Sequence, residues 1–319
     1  MARKPRRGFS RRTVEFPSGD SYCTAWLYLP DNPGDATLPA VVMGHGLGAT
    51  REMGLAPYAE RFVAAGLAVL VFTYRHLGDS GGEPRQVLSM ARQLADWDAA
   101  LEYAADLPEV DRNRMAVWGS SLGGGHAIRV AARHPELLAA VAQCPFTDGL
   151  ASAASLGIRE TLVISRFVLR DLVAAARGKD PVTIPVAAPT GQLGLMTAPD
   201  ALPGMHALLP ADFEWVNHAA ARSVASLIRY RPGRSAKRIE IPILICISET
   251  DSVAPPARTE RYARQAPRGD VRLYDAGHFA FYIGEAFEQL AADQTEFLVS
   301  HLQAVPTLRA ASAPAPKAR

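Results

Sequence analysis

Residues Leu67–Tyr74 read LAVLVFTY and residues Ile241–Ile247 read IPILICI. Neither run carries a charge, and neither alternates apolar with polar positions. A strand with one wet face alternates. A strand that is apolar throughout needs cover on both faces, which is the condition of a parallel sheet packed between helices. Shorter uncharged, mainly apolar runs lie at Ala40–Met43, Met115–Trp118 and Leu138–Cys144, and Val271–Tyr274 reads as one further strand. Helical patterns separate them: Pro57–Ala65 (stopped by Gly66), Gln86–Asp106 with Leu88, Leu94, Trp97, Leu101 and Ala105 in register, Leu122–His134 and Glu285–Leu302. This alternation predicts an α/β fold with a mostly parallel sheet of about eight strands and helices on both faces. Arg11–Phe16 and Tyr22–Leu29 alternate instead, around Pro17-Ser18-Gly19-Asp20, and predict an antiparallel hairpin at a sheet edge.

The alternation fails between about Gly149 and Arg238. Ile158–Ala176 predicts one or two helices and His218–Tyr230 another. Between them, Pro181–Pro210 holds six prolines and three glycines in thirty residues. It is too rich in proline for a helix. It is also too apolar for a solvated linker, with Leu193, Leu195, Met196, Leu202 and Met205 among its residues. The expected organisation is a basic disordered tail at 1–10, a core formed by 11–148 and 239–303, a cap inserted at 149–238, and a disordered tail at 304–319.

Composition removes several classes. With 48% hydrophobic and 21% charged residues the chain is not a disordered one, and three cysteines in 319 residues make no disulfide scaffold. The net charge of +2 misleads, because residues 1–12 carry six basic groups and 304–319 three more, with no acid in either. Removing those nine from 34 leaves 25 basic against 32 acidic residues, or −7, in 13–303. An acidic body argues against a nucleic-acid partner. Cys23, Cys144 and Cys246 have no zinc spacing and read as buried, reduced residues of a cytoplasmic protein. No segment predicts a signal peptide or a stable membrane insertion. Oligomeric state is not legible.

Gly119-Ser120-Ser121-Leu122-Gly123 is a G-x-S-x-G that follows a strand and opens a helix. In that context the serine sits on a strained turn with its hydroxyl exposed above a helix N-terminus. Ser121 is the expected nucleophile and Ser120 its rival off the centre of the motif. The loop after LAVLVFTY, with Arg75 and Asp79, reads as structural, since no Lys-Ser/Thr follows to make it a phosphate loop.

With His45-Gly46-Leu47-Gly48, Tyr74-Arg75-His76-Leu77-Gly78-Asp79-Ser80-Gly81-Gly82, Asp111-Arg112-Asn113-Arg114, Asp251 and Gly277-His278, the chain resembles the α/β-hydrolase superfamily, near its dienelactone-hydrolase-like and serine-peptidase-like esterases. The resemblance spans about 11–148 and 239–303 and leaves the insertion unmatched. It implies the chain order nucleophile, acid, histidine. His278, just after the last strand, becomes the base. Asp251 becomes the acid, in a loop similar to D-x-x-V-P although Ala254 precedes the proline, and Glu249 is the alternative. It also implies an oxyanion hole from the amides of Leu122 and Leu47. His45 is expected to brace that loop and border the substrate pocket, with Met196 and Met205 as further pocket candidates.

The expected activity is a serine hydrolase acting through an acyl-enzyme on a carboxylic ester, thioester or lactone, without metal or cofactor. Its partner is a small, partly apolar acyl substrate. A peptidase or amidase would use the same residues, with Arg159, Arg166 or Arg170 anchoring a peptide terminus. An acyltransferase or a silent binding protein are the remaining alternatives. A serine at the turn excludes epoxide hydrolases and haloalkane dehalogenases, which need a carboxylate there.

Overall fold

The continuous apolar runs divide their residues between two cores. In the computed structural model, which describes residues 8–31, 36–154 and 157–303, Ala40 and Val42 face one core and Val41 and Met43 the other. Ala68, Leu70 and Phe72 alternate in the same way with Val69 and Val71, and Ile243, Ile245 and Ile247 with Leu244 and Cys246. Each such Val, Leu, Ile, Phe or Met side chain stabilises the fold by roughly 1.5–3 kcal/mol on full burial, so both faces must be covered.

The chain runs β1 (Phe9–Ser18), β2 (Ser21–Pro30), β3 (Leu38–Gly44), α1 (Ala56–Ala64), β4 (Ala68–Phe72), α2 (Met90–Ala105), β5 (Val110–Ser120), α3 (Leu122–Ala131) and β6 (Ala139–Gln143). Then come α4 (Gly149–Ala154), α5 (Ile158–Ala176), β7 (Thr183–Ile184), α6 (Ala201–Ala207), β8 (Ala219–Ala220) and α7 (Ser223–Arg229). After a 3₁₀ segment at Pro232–Arg238 follow β9 (Ile243–Ser248), α8 (Pro256–Ala263), β10 (Gly269–Tyr274), a second 3₁₀ turn at His278–Tyr282 and α9 (Gly284–Leu302). Eight strands form one sheet in the order β1-β2-β4-β3-β5-β6-β9-β10. The β1–β2 and β2–β4 pairs are antiparallel, and every other pair is parallel. Tyr58 and Phe62 of α1 and Leu290 and Leu298 of α9 cover one face; Trp97 of α2 and Ile128 of α3 cover the other.

Several boundaries differ from the sequence reading. β1 begins at Phe9, inside the stretch 1–10 expected as a tail; the remainder of that tail before Gly8, and 304–319, lie outside the described residues. α2 starts at Met90 rather than Gln86, because Ser89 is extended and its hydroxyl caps the Arg92 amide. β5 begins before the expected Met115. Asp111–Arg114 bulge out of its pairing with β3, held by Asp111 to the Asn113 amide (3.0 Å) and to Arg114 Nε (2.7 Å). A helix does form in the proline-rich stretch: α6 contains Pro203, but in its first turn, where a missing N–H costs nothing. α7 begins at Ser223 rather than His218, since Ala219–Ala220 pair as β8 with β7.

Within 149–238, α5 is a single helix. Its fully buried Asp171 accepts hydrogen bonds from the Val182 amide (2.8 Å) and from the Arg222 amide (2.7 Å) and Nε (2.9 Å). These contacts tie α5 to the strands around β7 and β8. Trp215 Nε1 donates to Gly48 O at 2.8 Å, fastening the segment to the loop after β3.

Candidate active site

The G-x-S-x-G glycines are there for space. A β-carbon on Gly119 would collide with the Gly123 carbonyl, and one on Gly123 with the carbonyls of Gly44 and His45. α3 therefore lies close against the ends of β3 and β5. Ser121 occupies the turn with φ 57° and ψ −119°, outside the range ordinary residues prefer. Its amide donates to Gln143 O (2.9 Å), and its carbonyl accepts from Gly125 N (3.1 Å) and Phe146 N (2.9 Å).

Ser121 Oγ lies 3.1 Å from His278 Nε2, and His278 Nδ1 lies 2.7 Å from Asp251 Oδ2. Nδ1–H donates to the carboxylate, which leaves Nε2 as acceptor for the serine hydroxyl. Asp251 Oδ1 accepts from the amides of Val253 (2.8 Å) and Ala254 (2.6 Å), so both carboxylate oxygens are oriented. The side chains of His278 and Asp251 are 3% and 2% exposed, which keeps water from screening the pair. Burial alone would lower the His278 pKa. The Cys144 sulfur, 4.0 Å from Nε2, and the Asp251 carboxylate outweigh it, and the net shift is well above the ordinary imidazole value.

Of the alternatives, Glu249 is exposed, and Ser120 is buried with its hydroxyl bonded to Gln143 Nε2 (3.1 Å) and Tyr282. His45 is fully buried. Its Nδ1–H donates to Gly46 O (3.0 Å) and its Nε2 accepts from the Tyr74 amide (3.4 Å). Burial pushes its pKa down to about 4. It braces the loop and does not border the cavity, which corrects its place among the pocket residues. His126, bonded to Tyr230 and Gln93, is likewise a buried neutral imidazole, its pKa lowered to about 3 by burial. Arg75 and Asp79 make internal ion pairs, with Asp96 and Arg51.

A cavity of about 130 Å³ opens beside Ser121. Leu47, Leu122, Phe146 and Val253 form its core side, and Ile164, Leu195, Met196, Val224, Leu227 and Ile228 come from the insertion. No charged side chain lines it among the described residues. A smaller chamber of about 20 Å³ lies on the His278 side, with Met196 and Met205 in its wall; Ser121, Leu47 and Met196 border both. Sequence reasoning missed Phe146 and the α7 residues, although Val224, Leu227 and Ile228 recur at one-face helical spacing. A larger open groove of about 430 Å³ around Arg268, Arg272 and His301 contains none of these groups. Arg159, Arg166 and Arg170 are exposed on α5, and none lines the cavity. Leu122, first residue of α3, has an amide with no intrahelical acceptor. Among the described residues no cluster of His, Cys, Asp or Glu is arranged to hold a metal ion.

An eight-stranded, mostly parallel sheet with a serine on the turn after β5 and a histidine after β10 defines an α/β hydrolase. The family model of serine aminopeptidases, S33, matches residues 36–280, and the chain belongs to that family. It is similar to the quorum-quenching protein AidA of Acinetobacter baumannii, at 47% identity over 285 residues, 89% of this chain and 93% of that one. A thiohydrolase of Eupenicillium brefeldianum is 26% identical over 298 residues, covering 90% of this chain and 94% of its own. The solved structure of DcsB in complex with its substrate analogue superposes with a TM-score of 0.77 at 23% identity, covering 92% of this chain and all of the other.

Proposed function

We propose that this hydrolase cleaves a small carboxylic ester, thioester or lactone with an apolar acyl group, through an acyl-enzyme on Ser121. The observation that carries the reading is the Asp251–His278–Ser121 relay opening onto an uncharged, apolar cavity. Ser121 Oγ attacks the carbonyl carbon as His278 Nε2 takes its proton, and Asp251 stabilises the imidazolium. The amides of Leu122 and Leu47 hold the oxyanion. His278 returns the proton to the leaving alcohol or thiol, then activates water to release the acid. The segment 149–238 serves as a cap whose α5 and α7 side chains shape the acyl site.

The aminopeptidase activity in the family's name is the weaker reading here, because a free amino terminus needs an acidic anchor and the cavity has none among the described residues. The relative described as a thiohydrolase supports thioesters among these substrates. The three buried, unbridged cysteines support a reducing, cytoplasmic setting. The test is a panel of p-nitrophenyl esters, thioesters, lactones and aminoacyl amides. Ester or thioester turnover should fall by a factor on the order of 10⁴ or more in Ser121→Ala. Undiminished turnover in that variant, or preference for the aminoacyl amides, would overturn the reading.

A further inference from the structure

Helix α5 is apolar on two opposite sides. Inward, Ile164, Phe167 and Val168 pack on the small core of the insertion, and Asp171 is locked to Arg222. Outward, Ile158, Leu162, Leu169 and Leu172 are 75%, 59%, 63% and 49% exposed. At 3.6 residues per turn these four and Val173 fall within an arc of about 100°, opposite the Asp171 side. Arg159, Arg166, Arg170 and Arg177 fall within about 40° of one another along one flank of that ridge. All four are exposed, and none makes an ion pair among the described residues. Arg170 lies over the Phe167 ring at 5.6 Å. Glu160 is the one exposed acid of the helix.

We propose that α5 is a docking helix that seats this protein on an anionic phospholipid surface. An apolar ridge of this size is unfavourable in water, and a line of unpaired guanidinium groups beside it calls for anions at the same depth. The boundary between lipid acyl chains and headgroup phosphates supplies both in that order, and guanidinium binds phosphate through paired N–H donors. A second copy docked ridge to ridge would bring two arginine lines together with only Glu160 of each helix to offset them. Because 13–303 carries −7 overall, the attraction is local to α5 and must be screened by salt. The docking does not depend on the role assigned to Ser121, and its test is read without activity.

The full chain is sedimented with vesicles of phosphatidylcholine alone, or of phosphatidylcholine and phosphatidylglycerol in equal parts. Partitioning should be at least about tenfold stronger on the anionic vesicles and should collapse at high salt. The variant Arg159→Glu/Arg166→Glu/Arg170→Glu should lose it, and Leu162→Ser/Leu169→Ser should lose at least about tenfold, each with an unchanged melting temperature. The basic chain ends are the same in all these proteins, so binding that survives in both variants belongs to the ends and overturns the proposal. A Leu169→Trp reporter should shift its emission to the blue on anionic vesicles, and an unmoved spectrum counts against docking. So does a solution dimer that Leu162→Ser/Leu169→Ser splits while vesicles capture nothing, which would give the ridge to a second copy.

Discussion

Ser121 is held in a backbone shape that costs about 1–3 kcal/mol. The three backbone hydrogen bonds at its amide and carbonyl, worth about 0.5–1.5 kcal/mol each, are of the right size to offset it. His278 has the opposite kind of tuning. In the proposed role of base it must be neutral, yet its surroundings favour the charged form and move its pKa well above 6.5. The rate constant kcat/KM should therefore rise with pH along a limb centred above the ordinary imidazole range. In Asp251→Asn that limb should move to lower pH, with turnover reduced by a factor on the order of 10⁴. The stability contribution has the matching sign. A raised folded pKa stabilises fully below the unfolded value and fades as pH rises through the folded one. The gap in unfolding free energy between the wild type and Asp251→Asn should thus be largest in acid and shrink toward alkaline pH. A gap that widens with pH would show that Asp251 does not act through the imidazolium.

At the scale of elements, the junction of β5 and α3 and the anchoring of α5 differ in kind. The junction is set by local sequence, because only glycine fits at Gly119 and Gly123. The anchor is set by one buried carboxylate whose partners lie eleven and fifty-one residues away in the chain. Asp171→Ala removes three hydrogen bonds and leaves the Arg222 guanidinium partly buried beside a cavity. That should cost on the order of 3 kcal/mol, confined to the insertion. Amide hydrogen exchange reads this directly: residues of α5 and the β7–β8 pair should exchange faster while α3 and β9 keep their protection. Uniform loss across both regions would mean that 149–238 does not open independently.

For the molecule as a whole, the cavity beside Ser121 belongs to neither the sheet nor the insertion alone. Ile228 of the insertion and Phe146 of the core meet across it. Filling it with Ile228→Trp should cut kcat/KM for the longest accepted acyl chain by about tenfold or more and spare the acetyl ester. Equal losses on all chain lengths would place the acyl group elsewhere. The amino-acid sequence by itself determined the two-faced sheet, through runs such as LAVLVFTY whose alternate residues must both be buried. It determined the strained turn at Ser121 as well, because G-x-S-x-G between a strand and a helix is a local steric requirement. His278 and Asp251 could be singled out only by their position after strands and by the family order, since the chain between Ser121 and His278 does not encode a distance. Tertiary structure alone decided that Ser120 and Ser121 point to different sides and that His45 is a brace rather than a pocket residue. It alone brought Val224, Leu227 and Ile228 to the cavity and left the leucines of α5 facing out. A hydrophobic side chain looks the same in sequence whether it lines a core, a substrate site or a docking ridge; what distinguishes them is what packs against it, and that is a property of contacts between residues far apart in the chain.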